Sequence, residues 1–310
     1  MAASGHAVTQ EAVGRALRGR RFDAREWAFH GALLLALLAA LLILLVLLYS
    51  VVENGFAVFQ ERGAGFLSAG ISSFDDEAAG VRQGLVGSAV ILVIVTLVAI
   101  PLGVAAAVYL EEYAADTRFN RFITVNIRNL AGVPSIVYGL LGLALFVELA
   151  REFTGGKTMI AGGLTLAVLV LPIVIITASE ALRAVPDGIR EAGYGVGATR
   201  WEVVRHHVLP SAAPGILTGI VLSLARALGE TAPILLVGAV TGFLATGNAG
   251  LYEQLYDRFT TLPTIVFQYS SLPSEGFRAN ASAAIIVLLA VILSANAIAI
   301  VLRNRYERKW

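Results

Sequence analysis

Apolar residues run through this chain in six long blocks, at 31–52, 85–110, 129–150, 158–182, 213–240 and 279–302, separated by polar stretches. Each block is long enough to cross about 30 Å of hydrocarbon, which takes roughly 20 helical residues. The pattern predicts an all-α membrane protein with six transmembrane helices. The polar stretches set its domains: an N-terminal tail at 1–30, a first transmembrane helix at 31–52, an external loop at 53–84, a helical domain at 85–302 and a tail at 303–310.

Composition supports this reading. The chain is 57% hydrophobic and only 15% charged, with a mean hydropathy of +0.77. Soluble domains are about 45–50% apolar and about 25% charged, so the excess points to lipid rather than to a larger core. With no cysteine there is neither a disulfide framework nor a thiolate metal site. The first block does not read as a cleaved leader: its apolar core is too long, and no small-x-small site follows in YSVVENG.

Basic residues give an orientation. The N-terminal tail holds five Lys and Arg, the loop at 111–128 three, the loop at 183–212 four and the C-terminal tail four. The other three loops hold six between them, and Arg226 lies inside a span. Sixteen against six predicts cytoplasmic N and C termini, consistent with an even number of spans. The N-terminal tail reads as a short basic helix at the membrane surface. The loop at 53–84, with Asp75, Asp76 and Glu77, reads as a solvated connection, and 241–278 as short gate-like helices. Pro101 and Pro233 are expected to kink spans two and five, because proline removes a backbone hydrogen bond.

The most structured polar stretch is EAGYGVGATRWEVVRHHVLP at 191–210. Asp187 is expected to cap a helix that Gly195 and Gly197 end. Thr199 and Glu202 then form a capping box for a second helix running to Pro210. Two short helices joined by a glycine turn make a stiff knob. Trp201 has two readings, an anchor at the interface or a side chain inserted into a partner.

This stretch resembles the cytoplasmic loop of the ABC-type, binding-protein-dependent importer permeases. Glu191, Ala192, Gly193, Gly197, Leu209 and Pro210 fit that loop's register. Gly193 stands where the family has Ala, which should loosen the helix, and His207 where it has an apolar Ile. PLGVAAAVYLEEYA at 101–114, AGVPSIVYGLLGL at 131–143, SLARALGETAPILLVGA at 223–239 and TLPTIVFQYSSLP at 261–273 are similar to permease subunits of the phosphate-specific importers, the A-type more than the C-type. The resemblance covers residue 80 to the end.

It implies an ABC-importer permease fold, a place in the bacterial inner (plasma) membrane, and phosphate translocation by alternating access. It also implies a second, C-type permease subunit, a homodimeric ATPase that binds the ATP, and an external phosphate-binding protein. The loop, including Thr199 and Trp201, would couple to that ATPase. This chain would hold no cofactor, do no covalent chemistry and bind no nucleic acid. The alternatives are a C-type subunit, a permease for another oxyanion, or an integral membrane scaffold or enzyme.

Arg226 and Glu230 are the ionisable residues nearest the middle of a span, four apart, with Thr231 following. Charge at that depth costs roughly 2.5–3.5 kcal/mol on insertion scales, so both should face the bundle interior. Either Arg226 offers its donor fork to a passing oxyanion, or the two form a neutralised pair that holds helices together. Other signals fail on spacing. TGGKT at 154–158 lacks the first glycine and preceding strand of a phosphate loop; adjacent His206 and His207 make a poor metal pair. Glu111-Glu112 has no third catalytic partner, and Ser135 has neither a glycine elbow nor a nearby histidine.

Overall fold

The computed structural model describes residues 24–240 and 255–306, and the predicted basic helix of the N-terminal tail lies outside them. The chain forms two compact units, Met1–Ser50 and Val51–Trp310. The described part of the first unit is helical. Helix α1, Ala24–Arg62, starts there and runs into the second unit. Every side chain described between Arg25 and Ser50 is exposed, including the whole leucine-rich run. A helix apolar on all sides belongs in hydrocarbon, and this one contains the predicted first span.

In the second unit a four-residue helix α2 (Gly65–Ser68) precedes α3 (Arg82–Val108), which continues as a wider π-turn at Tyr109–Tyr113. The stretch joining α1 to α3 is not a solvated loop, as the sequence predicts. Phe66, Ile71, Ala79 and Val81 are buried against Leu262, Ile265 and Tyr269. The Arg62 guanidinium and the Asn280 amide both donate to the Asp76 carbonyl, at 3.1 and 2.8 Å. Four scattered apolar residues outweigh the three acids that made the segment look like a loop.

The third predicted span breaks. Helix α4 (Arg118–Ala131) and helix α5 (Ser135–Gly142, continued by a π-turn to Leu149) meet at 103°. Pro134 causes this: it has no donor, and its ring pushes the preceding residue out of helical geometry. Helix α6 (Arg151–Thr154) and the left-handed Gly155 and Gly156 lead into α7 (Met159–Arg183), the fourth span. Helix α3 runs through Pro101 without a break, as α7 runs through Pro172.

Helices α3 and α7 form the most extensive helix pair. Glycine permits the close approach: a Cβ on Gly163 would come within 2.7 Å of Ile94, and one on Gly103 within 2.6 Å of Val174. Helix α8 (Asp187–Gly195) and helix α9 (Arg200–Val203), with a π-turn to Val208, then lead into α10 (Leu209–Gly229).

The predicted fifth span is shorter than its apolar block. Helix α10 ends at Gly229, Glu230 is extended at φ −77°, ψ 124°, and a short α11 (Ala232–Leu236) follows. Pro233 therefore kinks nothing; it sits in the first turn of α11, where its missing donor costs little. Of the expected gate-like helices one is described, α12 (Leu262–Ser271), packed on the long last helix α13 (Glu275–Tyr306). Residues 241–254 lie outside the described part. Counting the bent pair as one span, the described helices supply six.

Candidate functional site

The knob at 187–208 is built by local rules that its sequence obeys. Pro186, not Asp187, caps α8, and Asp187 is its first helical residue. The helix ends in a full Schellman motif. Gly197, at φ +84°, donates to Tyr194 O at 2.9 Å, and Ala198 donates to Gly193 O at 3.2 Å. Gly195 is simply the last helical residue. The predicted capping box is present: the Thr199 amide donates to Glu202 Oε2 at 2.8 Å, and the Glu202 amide to Thr199 Oγ1 at 3.4 Å.

Packing then fixes the two helices to each other and to the spans. Val203, Val204 and Val208 are fully buried; Val203 and Val208 lie among Leu182, Val185 and Ala212. Burial of such side chains is worth about 1.5–3 kcal/mol apiece. Gly193 is buried where α8 crosses α9, and a Cβ there would sit 2.7 Å from Val203 Cγ2. The glycine does not merely loosen the helix; it creates the crossing. His207 is exposed, so the position needs no apolar side chain, and its carbonyl accepts the Ser211 hydroxyl at 2.7 Å. The outward side leaves Glu191, Ala192, Thr199 and Pro210 exposed, together with Tyr194, Val196 and Trp201. Leu209 is half-buried.

The sequence reading missed what anchors the knob. Glu111, Glu112 and Tyr113, on the π-turn after α3, each meet an arginine. Arg183, at the end of α7, grips Glu111 in a fork at 2.7 and 2.8 Å. Arg190 of α8 reaches Glu112, which is only 4% exposed, at 2.7 Å. Arg200 of α9 lies 5.1 Å above the Tyr113 ring. Arg190 also donates to Leu182 O at 2.9 Å, Val185 O at 2.8 Å and Asp187 Oδ1 at 3.2 Å. With Nε on Glu112 at 3.2 Å, all five guanidinium donors are engaged. The hydrogen bond to Glu112 pushes the Arg190 pKa above its already high ordinary value. A usable signal existed: an acidic dipeptide ending one span, and arginines in the next loop on the same side.

The structure brings the predicted span charges together. Arg226 Nε lies 3.3 Å from Glu230 Oε1. They do not share a helix face, because Glu230 has left the helix, so the pair closes across the end of α10. A cation there also complements the helix dipole. The two side chains differ in access: Arg226 is 44% exposed and Glu230 16%. Glu230 lines a cleft with Ser88, Leu92, Leu166, Thr261 and Pro263, while half-buried Thr231 opens α11. Pro233 packs on Gly139 of α5. The residue before Gly139 on α5, Tyr138, donates to Leu130 O at 2.9 Å, within electrostatic reach of Arg226. The arrangement offers a guanidinium with free surface beside a more enclosed carboxylate, at a break between two helices.

This architecture is known from other proteins. Residues 99–310 match the family of binding-protein-dependent transport system inner membrane components. The chain is 34% identical over 229 residues to the phosphate transport system permease protein PstA of Xylella fastidiosa, covering 73% of this chain and 76% of that one. It is 35% identical over 221 residues to PstA of Haemophilus influenzae, covering 71% and 74%. Among solved structures, a bacterial ABC transporter that imports the acidic polysaccharide alginate aligns over 92% of this chain and 98% of its own, with a TM-score of 0.62 and 12% identity. The long apolar helices, the capped knob between α7 and α10 and these matches have one reading: this chain belongs to the binding-protein-dependent transport system inner membrane components, as a multi-pass permease of the ABC importers.

Proposed function

We propose that the chain is the A-type permease subunit of an ATP-driven phosphate importer. The likeness to PstA permeases over most of the chain carries the reading. In it, the chain pairs with a C-type permease and receives phosphate from an external binding protein. A separate homodimeric ATPase binds and hydrolyses ATP, so this chain holds no cofactor and makes no covalent bond. Both termini lie on the cytoplasmic side, with the knob at 187–208. Its exposed Tyr194, Val196 and Trp201 form the surface that seats in the ATPase, since aromatic anchors dominate such contacts.

Phosphate passes at the break between α10 and α11. The partly exposed Arg226 fork suits a tetrahedral oxyanion. Glu230, paired with it, keeps the attraction weak enough for release, and Thr231 offers a hydroxyl beside them. Closure of the ATPase pair shifts the knob and opens the spans outward, giving alternating access.

The test is ATP hydrolysis by the reconstituted complex with phosphate-loaded, sulfate-loaded and arsenate-loaded binding protein. Stimulation by phosphate above the other two supports the reading. Equal stimulation, or a preference for sulfate, sinks the phosphate assignment.

A further inference from the structure

The coupling loop of such a permease must pass its movement to the spans, and the route in this chain is visible. We propose that Glu112 and Arg190 are positioning residues for energy coupling, a buried bolt that makes the knob, the end of α3 and the end of α7 move as one body. The proposal rests on the reading above, that a separate ATPase drives this permease.

Three observations carry it. The bolt is enclosed: Glu112 is 4% exposed, and the Arg190 side chain 18%. Removing one partner of such a pair leaves a buried charge uncompensated, so it does not open as a surface pair does. Arg190 binds two structures at once. The same guanidinium that grips Glu112 also takes the Leu182 and Val185 carbonyls at the end of α7, so it cannot swing aside without breaking all five contacts. Finally, Glu112 lies on a π-turn, closed by the Ala114 amide on Tyr109 O at 2.8 Å. The inserted residue widens the turn, a device that recurs at functional positions in helices. The exposed Glu111–Arg183 fork and the Tyr113–Arg200 stack flank the bolt on the same segment. Since α3 and α7 already form the most extensive helix pair, a push on the knob enters the bundle through both.

The experiment uses the full reconstituted complex, after the unmodified complex has shown anion-stimulated ATP hydrolysis and uptake. If the unmodified complex shows neither, the functional reading fails and the bolt is not what failed. Glu112→Gln keeps an acceptor but no charge; Arg190→Lys keeps the charge but loses the fork. In each, anion taken up per ATP hydrolysed is expected to fall by roughly tenfold, within the range of typical coupling between sites. A variant that assembles and keeps the unmodified ratio overturns the proposal.

A second arm does not depend on those variants folding. The chain has no cysteine, so Tyr113→Cys with Arg200→Cys can be joined by a short bis-maleimide. If the π-turn and the knob move together, the tethered complex transports at the rate of the same complex left unjoined. Loss of transport on tethering means that the knob slides over α3, and the bolt is refuted.

Discussion

At the scale of single residues, two positions divide the chemistry from the architecture. Arg226 keeps nearly half its surface open while paired with Glu230 at 3.3 Å. A purely structural ion pair has no need of that access. Arg226→Gln is therefore expected to abolish phosphate uptake while the complex still assembles; normal uptake with normal assembly would remove the residue from the pathway. Gly197 works through its backbone alone. At φ +84° any other residue pays the left-handed penalty, roughly 1–2 kcal/mol. Gly197→Ala should cost about that much and free the Schellman hydrogen bonds. Faster amide hydrogen exchange at Gly197 and Ala198 would show it, and unchanged exchange would argue against a strained turn.

At the scale of elements, the crossing of α8 over α9 depends on a missing methyl. Gly193→Ala gains helix propensity, about 0.5–1 kcal/mol. It also drives a Cβ into Val203, 2.7 Å away, and overpacking of that kind costs about 1–3 kcal/mol. The clash wins, so the single variant should lower the thermal stability of the assembled complex. Val203→Ala costs stability of its own because Val203 is fully buried, so the test is the pair. Gly193→Ala with Val203→Ala should cost less than the sum of the two single changes, since the second removes the colliding methyls. Costs that simply add would mean that Gly193 serves something other than this crossing. The elements also show what sequence could and could not give. Caps and glycine turns act over three or four residues, so Thr199, Glu202 and Gly197 were readable from spacing alone. The Glu112–Arg190 pair joins residues far apart in the chain. Neither partner stands out until α3 and α7 are packed side by side. The break at Glu230 was hidden for a different reason: its flanks are apolar, and hydropathy does not record where a helix stops.

At the scale of the molecule, each apolar block falls on a described helix, but α1 runs on to Arg62 where the first block ends at 52, and Pro134 and Gly229 interrupt the third and fifth blocks. The chain also behaves as a part rather than a whole. Its long helices leave wide apolar surfaces exposed, and its one stiff polar knob presents Trp201, 55% exposed, outward. Such a surface is expected to have a protein partner. Because the chain carries no cysteine, a single Trp201→Cys gives an unambiguous probe of that contact.

The most direct measurement is cross-linking of that one thiol in the assembled importer, with and without a non-hydrolysable ATP analogue. The account predicts an adduct between this chain and the nucleotide-hydrolysing subunit, with a yield that changes when nucleotide binds. A thiol at 201 that labels freely in both states and never joins a nucleotide-hydrolysing partner would contradict it.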